Sequence, residues 1–410
     1  MVYLKLRKGW KLKGVTFVHV LILLYLRKEF YEFLISLPNS LNFFDKETLN
    51  QEKLSSVDLS RYVTYYDGSI KIKDPPLILF WTTYYSTYWS MFYKHFNRNR
   101  CRPWTCKLTN DRRMLNVSDV IVFSIGDLRE NDLPQYRRED QIWVAFTREP
   151  PFNIRIENQF GLKLYNHMFN WTSTYRTDSD VTYTYGNILS RNTQAKTKPP
   201  YPWLVDKNEI HERFIKDFDP QPLDFDEVER NLPERNGSAL WAVSNCASWY
   251  RLKFVKELKK YMDVEIFGEC GTGRSKKTWY IDETKYKYYL AFENSKCRDY
   301  VTEKMLRTFK YNIIPVVRGG ADYQNIAPPH SYINVDDYEN PRALAEYLKY
   351  LNRNHTAYME YFLWKKDFYE VNMHAFPCRF CEALKKPIQK KSYNDLDEYY
   401  FGNSGCTDYK

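Results

Sequence analysis

Between Glu293 and Lys304 the chain reads Glu-Asn-Ser-Lys-Cys-Arg-Asp-Tyr-Val-Thr-Glu-Lys, a run whose side chains suit an anion carried on a sugar. Lys304 could neutralise a diphosphate oxygen, and Glu303 could accept hydrogen bonds from ribose hydroxyls. Both fall in the first turn of a helix that Asp299 or Thr302 can cap, where free backbone N–H groups and the positive end of the helix dipole favour negative charge. Asn294 follows the aromatic and apolar run Tyr288–Phe292, which puts it at the carboxyl end of a strand, where open α/β sheets bind ligands. Local chemistry leaves a plainer reading open, since Thr-Glu-Lys is also an ordinary capping sequence.

The elements that must hold these groups follow one another without interruption. Tyr288–Phe292 has strand length, residues 293–299 are polar loop, Met305, Leu306 and Phe309 recur at helical spacing, and Ile313–Val317 turns β again. A second cluster, Ser244-Asn245-Cys246, precedes Arg251 at the opening of a predicted helix; a solvated arginine on an amphipathic helix is its plainer reading. No G-x-G-x-x-G or Walker A loop occurs, so neither a nicotinamide dehydrogenase nor a P-loop kinase is supported. Asp178-Ser179-Asp180 spells a metal-binding D-x-D, yet its carboxylates more readily hold nearby backbone or Arg176. Cys378-Arg-Phe-Cys381 has no second pair at zinc spacing, so structural disulfides are expected and no metal site is assigned.

Ala291-Phe-Glu-Asn-Ser295 with Asp299-Tyr-Val-Thr-Glu-Lys304, followed by Ile314-Pro-Val-Val-Arg-Gly-Gly320, closely resembles the donor-site signature of the α1,3-fucosyltransferases. The similarity continues through Asp322-Tyr323, the run from Pro328 to Ile333, Leu344, Ala345, Tyr347 and Leu348, and Tyr361, Phe362 and Trp364, with weaker matches back to Pro75. The resemblance implies an inverting transfer of L-fucose from GDP-β-L-fucose to a hydroxyl, O3 of N-acetylglucosamine, on a glycan of a glycoprotein or glycolipid. GDP-fucose would be a substrate rather than a bound cofactor, and stimulation by a divalent cation such as Mn²⁺ stays open. Ser244, Asn245, Arg251, Glu293, Asn294, Tyr300, Glu303 and Lys304 would bind the donor, with Arg251 on the diphosphate and Tyr300 and Glu303 orienting donor hydroxyls. Glu149, just past the strand-like run Ile142–Phe146, occupies the place of the family's catalytic base, though Pro150 replaces the usual Ser. The run from Phe169 to Asp180 resembles an acceptor-domain element and singles out Trp171, Tyr175 and Arg176; Thr177 replaces a frequent Arg, and Thr184 a usual Pro. The resemblance also makes Cys101 and Cys106 the natural partners of Cys378 and Cys381. An inactive lumenal protein of the same fold, binding nucleotide or glycan without transfer, is the alternative, and the replacements at Pro150 and Thr177 are its support.

Composition sets wider bounds. The chain has 410 residues, 43% of them hydrophobic, enough for two domains with real cores. A formal charge of +10 favours anionic partners, but the cations are scattered and no long basic run argues for nucleic acid. Eight cysteines and four N-x-S/T sequons, at Asn116, Asn170, Asn236 and Asn354, suit a secretory lumen. Lys5, Arg7, Lys8, Lys11 and Lys13 precede the uncharged run Val15–Leu26, a pattern expected of a type II Golgi signal-anchor with the body in the lumen.

The expected organisation is a cytoplasmic tail (1–14), a signal-anchor (15–37), a stem (38–74), an acceptor-binding domain (75–232), a GDP-fucose-binding domain (233–376) and a C-terminal tail (377–410) packing back on the body. Strand-like runs at Leu77–Trp81, Val120–Phe123 and Ile142–Phe146 form one alternating set; Leu240–Val243, Val264–Phe267, Tyr288–Phe292, Ile313–Val317 and Tyr332–Val335 form another. The charged, Pro-containing stretch Asp217–Asn236 reads as the linker between them. The fold class is therefore α/β, of GT-B type, with two Rossmann-like domains facing across a cleft.

Overall fold

A computed structural model describes residue 72 and residues 74–89, 106–157, 161–191, 223–271, 281–371, 376–386, 388 and 391–407. All belong to one compact unit, Asp58–Lys410. The expected tail and anchor, and nearly all of the stem, lie outside the described residues. Among those described, no helix is long and apolar enough to cross a membrane.

The first half is a parallel sheet of β1 (Leu77–Phe80), β2 (Lys107–Thr109), β3 (Val120–Ser124), β4 (Ile142–Phe146) and β5 (Trp171–Ser173), ordered β2-β1-β3-β4-β5. Helix α1 (Pro151–Glu157) follows β4. Side chains alternate between faces, and both faces are covered, so the central strands are nearly continuous apolar runs. Leu79, Ile121, Phe123, Trp143 and Ala145 pack with Ile154 of α1 and with Leu396 and Tyr400 near the C-terminus. On the other face, Ile78, Val120, Val122, Val144 and Phe146 meet Phe380, Cys381 and Leu384.

After β6 (Asn187–Ser190) and α2 (Phe225–Asn231) comes a second parallel sheet, built from β7 (Asn236–Ala242), β8 (Val264–Phe267), β9 (Tyr286–Phe292), β10 (Ile314–Arg318) and β11 (Ile333–Asn334), with α3 (Trp249–Leu258) and α4 (Glu303–Lys310) among its connections. Its order, β11-β10-β9-β7-β8, is that of the first sheet counted from its own first strand. Helices α5 (Pro341–Arg353) and α6 (His355–Glu360) cover one face with α3; Met305, Leu306 and Phe309 of α4 cover the other. The expected linker is partly ordered structure. Asp224 caps α2 by accepting from Glu227 N at 3.0 Å, and Leu232 is fully buried in the second core, so only what precedes residue 223 lies outside the described residues.

The chain then returns to the first half. β12 (Phe368–Val371) pairs antiparallel with β6, and α7 (Phe376–Ala383) and α8 (Leu396–Tyr400) lie on the first sheet. Cys106 is bonded to Cys381, one of the links the resemblance implies; Cys101 and the Cys378 side chain lie outside what is described.

Inside this crossover, Lys365 is buried, donating to Phe309 O and, at 2.6 Å, to Asn312 Oδ1. Burial draws its ammonium down to about 7 against the pull of Glu370, and burial raises the Glu370 carboxyl to about 7 against the pull of Lys365. Glu370 therefore keeps a proton in the fold that the unfolded chain releases above 4.5. Its contribution to stability is full below that value and is lost as pH rises towards 7, by at most about 3 kcal/mol. Thermal unfolding at about pH 5 and about pH 7.5 should show Glu370→Gln gaining on the wild type at the higher pH. A constant difference in Tm between the two proteins would remove the effect.

Candidate functional site

Both sheets have the order in which the winding reverses between the first and third strands, and ligands of such sheets bind at the carboxyl ends there. In the second sheet the reversal lies between β7 and β9. The loops that leave these strands are 243–248 and 293–302, which contain most of the residues singled out in the sequence.

Glu293 is the centre of this region. At 1% exposure its carboxylate accepts from Thr302 N at 2.8 Å, from Thr302 Oγ1 at 3.0 and 2.9 Å, and from Lys304 Nζ at 2.9 Å. Thr302 is the N-cap of α4, so one buried anion fixes the helix start and aims the lysine beyond it. Burial lowers the Lys304 ammonium, but Glu293 and then Glu303 outweigh it and hold the group above its ordinary value. Glu303 remains 55% exposed in the same first turn. Glu293 is thus an internal support, and Glu303 is the carboxylate open to a ligand.

Arg251, expected on the diphosphate, is buried as well. It is 2% exposed, and its guanidinium donates to Phe292 O at 3.1 Å and Asn245 O at 2.8 Å, tying the loop after β7 to the end of β9. Ser244 and Asn245 are exposed on that loop, which a Cys246–Cys270 bond also holds. The Ser248 hydroxyl donates to Asn294 O and the Tyr250 hydroxyl to Glu293 O. Three buried polar atoms here have no partner in the protein: Arg251 Nε, Asn294 Oδ1 and Tyr323 Oη. Each carries a desolvation cost of about 1–3 kcal/mol until something bonds to it. Gly320, two residues past β10, leaves room for this loop, since a Cβ there would lie 2.7 Å from the backbone between Lys296 and Cys297.

Across from these loops lie the carboxyl ends of β4 and β5. Glu149 is half-buried just before α1; its carboxylate accepts from Asn153 Nδ2 at 2.5 Å, and its N–H donates to Thr147 Oγ1 at 3.0 Å. Pro150 supplies the carbonyl that starts α1, accepting from Asn153 N at 3.0 Å. Arg148 lies flat on Tyr185, 3.7 Å from the ring centre, and the Tyr185 hydroxyl donates to Arg148 O at 3.0 Å. Tyr175 and Tyr185 pack on Tyr300 with ring centres 4.8 and 6.3 Å away. Tyr300 is therefore a 2% exposed wedge between the halves, and burial pushes its phenol well above the ordinary range.

Trp171, Tyr175 and Arg176 are buried too, Trp171 in the first core and Arg176 against Asp178 and Tyr399. They shape the first half from within. Asp180 accepts from Thr172 N at 2.8 Å and Tyr393 Oη at 2.7 Å, and the exposed Asp178 pairs with Arg176 and Arg298, so both D-x-D carboxylates are taken up by groups of the protein. Of the sequons, Asn116 is exposed and Asn354 caps α6 by accepting from Ala357 N at 3.1 Å. Asn170 is corrected: at 2% exposure its amide is engaged by Trp143 N, Arg137 and Lys391 O, leaving no room for a glycan. Asn236 lies at the start of β7. The sequence reading passed over Asn153, whose signal was its place four residues after Glu149 at the start of a helix.

Comparison with known proteins gives consistent matches. The profile described as "Glycosyltransferase family 10 (fucosyltransferase) C-term" covers residues 232–399, and "Fucosyltransferase, N-terminal" covers residues 73–186. The chain is 28% identical over 380 residues to Alpha-(1,3)-fucosyltransferase C of Drosophila melanogaster, covering 87% of this chain and 83% of that one. It is 31% identical over 307 residues to 4-galactosyl-N-acetylglucosaminide 3-alpha-L-fucosyltransferase 9 of Homo sapiens, covering 72% of this chain and 75% of that one. A crystal structure of an alpha1,3-fucosyltransferase with GDP-fucose superposes with a TM-score of 0.47 at 18% identity, covering 82% of this chain and 98% of the other.

The two glutamates beside Lys304 should separate in stability. Glu293→Ala strands a buried N–H and the Lys304 ammonium and should cost about 2–4 kcal/mol. Glu303→Ala should stay within about 0.5 kcal/mol. Equal melting temperatures for the two variants would refute this division of roles.

Proposed function

We propose a single reaction for this chain, which belongs to glycosyltransferase family 10, the fucosyltransferases: L-fucose passes from GDP-β-L-fucose to O3 of an N-acetylglucosamine with inversion at the sugar carbon. In this reading the two doubly wound sheets form a GT-B arrangement, with the donor at the reversal point of the second sheet and the acceptor glycan on the first. The names of the relatives, which specify 3-alpha transfer and an N-acetylglucosaminide, support the linkage. One observation carries the reading. A half-buried carboxylate, Glu149, stands on one side of the Tyr175–Tyr300 contact, and the cluster of Lys304 and unsatisfied strand-end groups stands on the other.

The acceptor O–H gives its proton to Glu149 as its oxygen attacks the fucose carbon. The bond from that carbon to the β-phosphate oxygen breaks, and the electron pair leaves with GDP. Asn153 holds the carboxylate in place from the first turn of α1. Lys304 and the positive dipole end of α4 meet the charge developing on the diphosphate, while Glu303 accepts from donor hydroxyls. Arg251 acts by bracing the loop after β7, with Nε the atom left to bond a ligand.

Nothing favours the inactive alternative. Pro150 starts α1 where the usual serine is missing, and Thr177 bonds across to Asp299 at 2.8 Å where an arginine is frequent. We also propose a type II Golgi orientation, supported by the five N-terminal cations before an uncharged run.

The full chain incubated with GDP-fucose should fucosylate at least one acceptor from a panel of N-glycan core GlcNAc, LacNAc and LacdiNAc, and NMR of the product should show an α1,3 linkage. Glu149→Gln should lower kcat by roughly 10²–10⁴ with GDP-fucose affinity nearly unchanged. Lys304→Ala should weaken GDP binding by about 10- to 100-fold. A Glu149→Gln enzyme that only raises acceptor KM at constant kcat would assign proton transfer elsewhere.

A further inference from the structure

The loop that carries Glu293, Asn294 and Tyr300 is held by parts of the chain that lie far from it in sequence. On one side, residues 404–407 run alongside it: Arg298 N donates to Ser404 O at 3.1 Å, Thr407 N donates to Lys296 O at 2.9 Å, and Cys297 is bonded to Cys406. On the other side stands the acceptor half. Thr177 donates to Asp299 Oδ2 from its N–H at 3.1 Å and from its hydroxyl at 2.8 Å, and Arg298 donates to Asp178 Oδ2 at 2.8 Å. Asp299 has φ +61°, a left-handed conformation that aspartate adopts more readily than most residues with a side chain.

The tail itself is anchored on the acceptor half before it reaches the loop. Tyr399 accepts Arg176 through its carbonyl and lies under the Arg176 guanidinium at 4.2 Å, and the Tyr400 hydroxyl donates to Ala145 O at 3.1 Å. Loop 296–299 is thus clamped between two elements that both belong mechanically to the acceptor half. None of these residues lies among the donor or base groups. What they fix is Tyr300, next in the chain, whose ring fills the space between the side carrying Glu149 and the side carrying Glu293.

We propose that Thr177, Asp299 and the Cys297–Cys406 bond are positioning residues for transfer, setting the distance between the base and the bound sugar without taking part in donor binding. This rests on the reaction proposed above. Misplacement of reacting groups by about 1 Å can cost on the order of 10²-fold in rate, whereas groups that only build the nucleotide pocket would change affinity instead. Thr177 lies on the surface, so its replacement spares the fold.

The test varies GDP-fucose and acceptor separately in initial-rate assays on the full chain and measures GDP affinity by calorimetry. Thr177→Val, Asp299→Ala and Cys406→Ser should each lower kcat by about 10- to 100-fold while the GDP Kd stays within about twofold. Thr177→Ser and Asp299→Asn, which keep the hydroxyl donor and the carbonyl acceptor, should restore most of the rate. The inference is overturned if Thr177→Val keeps its kcat, if GDP affinity falls in parallel with kcat, or if Thr177→Ser is as slow as Thr177→Val. An active wild type with unaffected variants defeats this inference alone, whereas a wild type that transfers no fucose to any acceptor defeats the proposed reaction first.

Discussion

A carboxylate removed from water is costly unless its lone pairs are taken up, and the buried anion of Glu293 is the group around which this molecule closes. It takes up a backbone N–H, a hydroxyl and an ammonium that all come from the start of α4. The helix therefore cannot shift along β9 without stranding a charge. Neighbouring strand ends conform to the same demand. Tyr250 reaches Glu293 O, Arg251 holds Phe292 O, and Gly320 leaves space for the backbone at Lys296 and Cys297. Lys304 reaches the ligand side of the helix with its charge already balanced, a buried pair whose value is geometric registration more than net stability.

The second organising constraint is the repetition of one strand order. Each sheet reverses its winding between its first and third strands, so each has a natural crevice at its carboxyl end. The segment after β5 touches the loop after β9 through Tyr175, Tyr185 and Thr177, and the Tyr185 hydroxyl also holds Arg148 O on the loop after β4, which ties the carboxyl ends of the two sheets together. Neither half alone supplies both the half-buried carboxylate of Glu149 and the cation of Lys304 at a helix start. In the proposed reaction the chemistry therefore belongs to the seam.

Much of this could be read in the sequence where the signal was local. Val120–Phe123, Ile142–Phe146 and Tyr288–Phe292 announce themselves because a strand buried on both faces must be apolar throughout. β2, β5, β6 and β12 escaped notice because Lys107–Thr109 and Trp171–Ser173 are three residues long, and because the β6–β12 pairing joins segments far apart in the chain. The candidate donor residues lie on the loops after β7 and β9, on α3 and at the start of α4, yet burial divides them in a way the sequence could not convey. Glu293 and Glu303 look alike in sequence, and only packing shows that one is sealed in while the other faces water. The same holds for Asn170, whose sequon gives no hint that its amide is spent inside the fold. The roles of Thr177 and Cys406 depend on contacts more than a hundred residues away, as with the Cys297–Cys406 separation of 109.

The first sheet has a debt to the far end of the chain. Phe380, Cys381 and Leu384 cover one of its faces, and Leu396 and Tyr400 cover part of the other. A ribosome delivers residues in order, and independent domains generally fold in that order as they emerge. Here the half that is made first cannot seal its core until Tyr400 has been released, whereas the second sheet has its own covering helices, α3 to α6, in hand by Glu360. Biosynthesis therefore runs against the usual polarity. The later-made half can mature while the earlier one waits with apolar strands exposed, and the Cys106–Cys381 bond, closing over 275 residues, cannot tie the first sheet down until the second is already made.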